Sequence, residues 1–147
     1  MIGLLSSSEL SDRHLISAKL AKSKIYLGLS DLPAALHAAG ESRDLAVINS
    51  LEKAAADAEK MIGVYHYYIG NNLDALEAYQ SSLSFYDVKS APIPHANLLN
   101  NLGLVYAAMR QIPAAIRQYE LAEPIYAEYG TEQDLIDIRH NIGGLYL

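Results

Sequence analysis

Apolar residues recur along this chain every three or four positions, a spacing that predicts amphipathic helices and no β-sheet. We therefore expect an all-α fold with about seven helices. One apolar stripe predicts a single long helix over about residues 43–69, so that the helix before it is short and ends at Gly40. This stripe consists of Leu45, Ile48, Leu51, Ala55, Ala58 and Ile62.

Residues with special backbone preferences indicate where other helices begin. Pro33 and Pro113 are each expected to be the first residue of a helix, because the N–H that proline lacks would have no partner there. Asn72 or Asp74 is expected to cap the corresponding helix between them. Residues 91–94, Ala-Pro-Ile-Pro, interrupt helical geometry, since a residue before proline avoids helical angles.

The chain also repeats itself without gaps at an interval of 40 residues. One phase of the repeat holds small residues, and the phase three residues later holds aromatic ones. Such a pattern is what two closely packed helices in every unit require. We expect the aromatic phase in the core, with His66 as a hydrogen-bonded core residue. The small phase is Ser23, Gly63, Gly103 and Gly143; the aromatic phase is Tyr26, His66, Tyr106 and Tyr146; later phases are Ala35, Ala75 and Ala115, then Ala39, Tyr79 and Tyr119, then Ser42, Ser82 and Ala122.

The third copy, with Leu-Asn-Asn-Leu-Gly-Leu-Val-Tyr at 99–106 and then Ala115, Tyr119 and Ala122, resembles the tetratricopeptide repeat family. The usual period in that family is about 34 residues. The period of 40 is similar to the longer variant in kinesin light chains and bacterial signalling proteins. The family's tryptophan is missing, and the first copy has Lys22 and Ser23 where an apolar residue and glycine are usual.

The resemblance implies one domain over residues 1–147, a right-handed α-solenoid of about three and a half helix-turn-helix repeats. The expected repeats are about 9–48, 49–90 and 95–130, with a half repeat at 131–147. We expect the chain to be part of a longer protein.

Composition narrows the function classes. The net charge is −6 and no basic run occurs, so nucleic acid is not an expected partner. The absence of cysteine excludes disulfides and thiolate zinc sites. No apolar stretch reaches the roughly 20 residues that span a membrane, and residues 1–5 do not resemble a signal peptide. We expect a cytoplasmic protein, or a periplasmic one if an upstream signal has been removed.

No motif of a nucleophile, a phosphate-binding loop or a dinucleotide site occurs, so we expect no enzyme, no catalytic residue and no cofactor. Asp134, Asp137 and His140 are spaced to share one helix face. The same spacing is common on solvated helices, and we expect no metal there.

In the tetratricopeptide family the first helix of each repeat lines a concave surface, and the resemblance carries this surface onto the present chain. Asparagine is the informative residue here, because its amide can pair with both polar groups of an extended peptide backbone. For Asn101 the alternative stays open that its amide only bonds to a neighbouring helix. The expected peptide-binding groove consists of Lys24, Lys60, Val64, Tyr67, Tyr68, Asn97, Asn100, Asn101, Leu104, His140 and Asn141.

These features predict a module that binds a peptide or protein segment. The alternative is an N-terminal sensory or regulatory segment of a larger bacterial signalling protein, such as a diguanylate cyclase, a kinase or a transcription regulator. The chaperone-binding branch of the family is not expected, because Leu20 and Met61 replace the lysine and asparagine of its carboxylate clamp.

The last helix carries a further expectation. Gly130, followed by Thr131-Glu-Gln-Asp134, predicts a helix end and then a capping box. The apolar face of this helix has no following helix to cover it, so we expect a homodimer through it. That face consists of Leu135, Ile138, Ile142, Leu145 and Tyr146.

Overall fold

The computed structural model describes residues 3–146 and contains seven α-helices and no strand in that range. The all-α prediction is confirmed. The helices are α1 (Ser7–Gly28), α2 (Leu32–Ile48), α3 (Glu52–Tyr68), α4 (Asn72–Phe85), α5 (Pro92–Ala108), α6 (Ile112–Tyr129) and α7 (Glu132–Leu145). In the described range, no helix is long and apolar enough to cross a membrane.

The helices form a solenoid of hairpins. Helices α1 and α2, α3 and α4, and α5 and α6 pack as antiparallel pairs, and each pair stacks on the next through α2–α3, α4–α5 and α6–α7 contacts. The first helices of successive hairpins are neighbours, as the α1–α3 contact shows. This arrangement places α1, α3, α5 and α7 in order along one side of the stack.

The turn inside each hairpin is built the same way three times. Ser30, Gly70 and Arg110, spaced 40 residues apart, all adopt left-handed backbone angles, with φ of 61°, 79° and 62°. The following residue donates its N–H to a carbonyl five residues earlier, at 2.9 Å in each turn, which satisfies a free carbonyl at the helix end. Only one of the three turns uses glycine for this conformation.

The predicted helix starts agree with the structure in part. Pro33 and Pro113 are the second residues of α2 and α6, one position after the predicted one. Residues 92–94 of the predicted break at 91–94 are the first three residues of α5. The prediction that Asn72 or Asp74 caps α4 is wrong. The cap residue is Asn71, and its side chain makes no capping bond.

The prediction of one helix over 43–69 is also wrong. Helix α2 runs past Gly40 to Ile48, and residues 49–51 separate it from α3. Ser50 turns the chain with a φ of 54°, and the Asn49 side chain donates to the Leu45 carbonyl at 2.8 Å. Ile48 is 77% exposed, so the predicted apolar stripe is not one buried face. It combines residues from the end of α2 with residues of α3, and the two helices bury different faces.

Glycine and tyrosine form matched contacts in the second and third hairpins. A Cβ atom added to Gly63 would lie 2.6 Å from the Tyr79 ring, and one added to Gly103 would lie 2.6 Å from Cδ1 of the Tyr119 ring. The first hairpin replaces the pair by Ser23 and Ala39, and the Ser23 hydroxyl donates to the Ala35 carbonyl at 2.8 Å. The first hairpin thus has a larger residue, Ser23, opposite the methyl group of Ala39, where the second hairpin has glycine opposite a tyrosine ring. The two helices are in contact in both hairpins.

A second contact recurs at the repeat interval. Ser42 donates to the Ile16 carbonyl at 2.9 Å, and Ser82 donates to the Ala56 carbonyl at 2.7 Å. These serines are fully buried, so their hydroxyls need such partners. The third hairpin has Ala122 at the same phase and buries it without a polar group.

The aromatic phase is less buried than expected. Tyr26, His66 and Tyr106 are only partly buried, while Tyr79 and Tyr119 fill the core instead. Nδ1 of His66 is buried and has no hydrogen-bond partner, so the expectation of a hydrogen-bonded histidine is wrong. Tyr146 is 69% exposed, because no second helix packs on α7 within the described residues.

The apolar face of α7 also differs from the prediction. Ile138 is 1% exposed, and Leu135, Ile142 and Leu145 pack with it against the cluster that α5 and α6 form. The capping box of Thr131 and Asp134 is confirmed. The exposed apolar residue on this helix is Ile136, which is 53% exposed and shares its repeat phase with buried residues of α1, α3 and α5.

Candidate peptide-binding groove

All eleven residues of the expected peptide-binding groove lie on first helices of the hairpins, and none is fully buried. The exposed ones are Lys24, Tyr68, Asn97 and His140, and the partly buried ones are Lys60, Val64, Tyr67, Asn100, Asn101, Leu104 and Asn141. The sequence therefore selected surface positions, although their use by a ligand stays a prediction.

Two asparagines of the groove bind each other. Asn141 of α7 donates through Nδ2 to Oδ1 of Asn100 on α5, at 2.9 Å. This bond ties the third hairpin to the half repeat. A bond to a neighbouring helix, the alternative considered for Asn101, is thus made by Asn100 instead. Among the hydrogen bonds of residues 3–146, none involves the Asn101 side chain.

Two tyrosines that the sequence did not single out, Tyr126 of α6 and Tyr86 at the end of α4, bind polar side chains of the first helices. Tyr126 donates its hydroxyl to Oδ1 of Asn97 at 2.7 Å, and Tyr86 donates to Oδ1 of Asp57. Both pairs span 29 residues and lie 40 residues apart, so the repeat itself was the available signal. Burial raises the pKa of Tyr126 to about 12, which keeps the hydroxyl protonated as a donor.

The crossing of α5 and α7 leaves a polar cavity of about 150 Å³. Asn97, Asn100, Tyr126 and Asp137 line it together with Asp134. The Asp134 carboxylate also accepts bonds from the Thr131 N–H and hydroxyl at 2.8 Å each, and these bonds lower its pKa. In the described part of the chain, no cluster of acidic, histidine or cysteine side chains could hold a metal ion.

The aromatic part of the groove has two roles. Val64 and Tyr67 of α3 pack against the core cluster that α5 contributes to, so they join the second hairpin to the third. Tyr68 is 64% exposed, and its ring centroid lies 6.1 Å from that of Tyr67. Tyr68 therefore offers rigid amphipathic surface that the fold itself does not consume.

Charge changes sign along the groove. Lys24 on α1 and Lys60 on α3 lie at one end. Helix α5 contains no Asp, Glu, Lys or Arg and presents amides and apolar side chains. Asp134 and Asp137 of α7 lie at the other end. Lysines therefore lie toward α1 and α3, where Asp57 also lies, amides lie on α5, and carboxylates lie toward α7.

Comparison with solved structures shows a similar architecture elsewhere. The structure of the Rap conjugation gene regulator of the plasmid pLS20, in complex with the Phr* peptide, matches with a TM-score of 0.77 and covers 99% of this chain. The sequences are 16% identical, and this chain spans 41% of that regulator's chain. Comparison of the sequence with protein families and with curated proteins finds no match. The likeness shows that this chain has the fold of a tetratricopeptide-type helical-repeat solenoid.

Proposed function

We propose that this chain binds an extended polypeptide segment along the peptide-binding groove and holds its backbone with the asparagines of α5 and α7. The observation that carries this proposal is the Asn100–Asn141 bond. It engages one oxygen of Asn100, so that Asn100 keeps its two N–H donors and Asn141 keeps its carbonyl oxygen. A donor and an acceptor held at a fixed separation suit the alternating polar groups of an extended backbone.

The remaining groove residues add direction and contact area to the proposed complex. Carboxylates of Asp134 and Asp137 favour the basic or N-terminal end of the bound segment, and Lys24 and Lys60 favour its acidic end. Tyr68 supplies an aromatic surface of the kind that dominates binding energies. The proposed ligand is thus an extended segment whose charge runs opposite to that of the groove.

The test is selection of binders from a displayed library of random dodecapeptides, followed by affinity measurements with Asn101→Ala. Asn101 makes no hydrogen bond within the described chain, so its removal leaves the fold intact. We expect about tenfold weaker binding, which corresponds to one lost hydrogen bond of about 1.4 kcal/mol. Asn71→Ala is the matched control, because that asparagine is exposed and its side chain makes no capping bond. Binders whose affinity both variants leave unchanged would contradict the proposal.

We further propose a non-catalytic role in regulation, in a cytoplasmic protein of the bacterial signalling type with the 40-residue repeat. The support is the shared fold with a conjugation gene regulator that was solved with a peptide. The groove also offers amides, lysines and tyrosines in place of a nucleophile with its base. The full reading frame separates the two forms of this proposal, because a cyclase, kinase or DNA-binding domain after the repeats favours the sensory form.

A further inference from the structure

A second cavity lies on the other side of α3, between the second helices α2 and α4. It has a volume of about 390 Å³, and its lining includes Arg43, Glu59, His66, Asp74 and Glu77. A further volume of about 370 Å³ shares Arg43 and Glu59 and extends toward the start of α3. We call the two together the α2–α4 crevice.

The α2–α4 crevice is separate from the peptide-binding groove. Successive residues of a helix turn by about 100°, so Ile62 of the crevice points about 160° away from Val64 of the groove. Ile62 packs with the cluster of the first two hairpins, whereas Val64 packs toward α5. A ligand in one site therefore leaves the other accessible.

The fold does not require this crevice, as the next hairpin shows. Forty residues later, Leu83, Leu99 and Tyr106 replace Arg43, Glu59 and His66. These three residues pack together in the core clusters of the third hairpin. The same architecture thus closes the gap with apolar side chains in one hairpin and leaves it open and polar in another.

Keeping polar groups in this position is unfavourable for stability. Glu59 is mostly buried, and Nη1 of Arg43 reaches its Oε1 at only 3.5 Å, because Nε and Nη2 of the same guanidinium bind Asp44 at 3.0 Å. Replacing a poorly satisfied, partly buried ion pair by well-packed apolar residues is often stabilising. Nδ1 of His66 adds a buried polar atom without a partner. A ligand that pairs with these groups would account for them.

The charges define the ligand. Glu59, Asp74 and Glu77 face a single arginine that already binds Asp44, so the crevice carries excess negative charge. Nδ1 of His66 lies beneath this surface, 3.9 Å from Oδ2 of Asp74, so the exposed carboxylates of Asp74 and Glu77 are the groups that a ligand meets first. A guanidinium group fits this set best, because its planar fork offers five N–H donors and no acceptor.

The other half of the crevice is apolar. Val47 is 63% exposed and Phe85 is 37% exposed, and both line it beside Ala55. Ala55 and His66 are eleven residues apart on α3, a rise of about 16 Å, which is the length of about five residues of extended chain. A ligand that fills both halves therefore has an apolar side chain and a basic side chain about five residues apart.

We propose that the α2–α4 crevice binds a second polypeptide segment, one that inserts an arginine between Asp74 and Glu77 and an apolar side chain between Val47 and Phe85. The segment belongs to a partner protein. The chain then holds one segment in the groove and a second on its opposite face, and it acts as a connector.

The probe is a fluorescein-labelled hexapeptide pool with leucine first, arginine sixth and mixed residues between, acetylated and amidated at its ends. A matched pool carries citrulline, the neutral isostere, in place of arginine. Fluorescence polarisation with the full chain should show at least about tenfold tighter binding of the arginine pool, the ratio for one charge-assisted hydrogen bond. A lysine pool of intermediate affinity would agree with the proposal, and equal affinity of the arginine and citrulline pools would overturn it.

Two variants locate the binding. Asp74→Asn with Glu77→Gln changes only exposed side chains and should weaken the arginine pool about tenfold or more, whereas Glu120→Gln on α6 should not. Arg43→Leu with Glu59→Leu installs the residues that stand forty positions later, Leu83 of α4 and Leu99 of α5, and it should raise the melting temperature while abolishing binding.

Amide chemical shifts of the isotope-labelled protein distinguish this proposal from the groove. Shifts at Ser81 and His66 support the crevice. Shifts confined to Asn100, Asn101 and Asn141 would overturn it and leave the proposed groove function standing. Unchanged binding by the leucine double variant would also overturn it.

Discussion

Gly103→Leu tests the tightest of the contacts that glycines make between helices of the described residues. Gly103 is buried on α5, and a Cβ atom there would lie 2.6 Å from Cδ1 of Tyr119 and 2.8 Å from its Cζ. Real Cβ contacts are essentially never shorter than 3.0 Å. The ring cannot swing away, because Tyr119 is 1% exposed and packs with Ala96, Ala115 and Ala122. The helices α5 and α6 must therefore separate.

The expected cost combines two effects of opposite sign. Overpacking a core contact destabilises by about 1–3 kcal/mol. The same substitution gains up to about 0.8 kcal/mol of helix propensity, since glycine is a poor helix former. We expect a net loss of about 1–2 kcal/mol, which lowers the melting temperature by roughly 2–8 °C for a chain of this size.

Urea unfolding followed by circular dichroism measures this loss, and Gly143→Leu is the control. Gly143 has the same repeat phase in α7, but a Cβ there would have no neighbour within 4 Å. That variant should gain stability from helix propensity alone. A double-mutant cycle with Tyr119→Ala tests the contact itself, because Gly103→Leu and Tyr119→Ala together should cost less than the sum of their separate losses. A Gly103→Leu protein as stable as the parent would refute the packing argument.

Three further outcomes are expected. Tyr126→Phe should lower the free energy of unfolding in urea by about 1 kcal/mol, because it removes the hydroxyl that donates a hydrogen bond to Oδ1 of Asn97. An unchanged midpoint would show that this bond contributes nothing to stability. Hydrogen bonds to Thr131 lower the pKa of Asp134, so the N-terminal cap of α7 should be stabilised above about pH 4, the pKa of an aspartate in the unfolded chain. As the pH falls through the lowered folded pKa, the cap should lose protection from amide exchange; Asp134→Asn should remove this pH dependence, and identical profiles would contradict it. The homodimer expected from the sequence would have to use Ile136, because Ile138 is buried and Ile136 is the exposed apolar residue of α7. Light scattering across a tenfold concentration range should detect such a dimer and Ile136→Glu should abolish it; a strictly monomeric parent would contradict the expectation.

The sequence was sufficient for features that depend on repetition. The 40-residue phases identified the solenoid, the contact of Gly63 and Gly103 with second helices, and the first-helix positions that form the groove surface. Such positions recur in every copy, so their physical requirement is visible three times over. The capping box at Thr131 was equally readable, because its partners lie only three residues apart.

Features that occur once were harder to predict. The break at Ser50 depends on a serine in the left-handed region, where no glycine or proline signals a turn. The Asn100–Asn141 bond joins residues 41 positions apart, one more than the repeat interval, so self-alignment does not pair them. The α2–α4 crevice is space that the side chains of α2, α3 and α4 leave unfilled. The pattern of apolar positions in a sequence shows which residues are buried but not how completely they fill the space between helices.

The comparison between hairpins separates what the fold needs from what this chain adds. The contact between the two helices of a hairpin is made by Ser23 and Ala39 in the first hairpin and by Gly63 and Tyr79 in the second. Both pairs bury their side chains, and the Ser23 hydroxyl has a hydrogen-bond partner. Arg43 and Glu59 instead line an open crevice and pair with each other at 3.5 Å, although the residues forty positions later, Leu83 and Leu99, pack in the core. Packing therefore explains the first difference but not the second. Stability alone favours the leucines, so the charged pair points to a ligand in the α2–α4 crevice. If the leucine double variant is more stable and no longer binds the arginine peptides, the charged pair serves binding; if it is more stable and binds them unchanged, the pair is only a less stable form of the core.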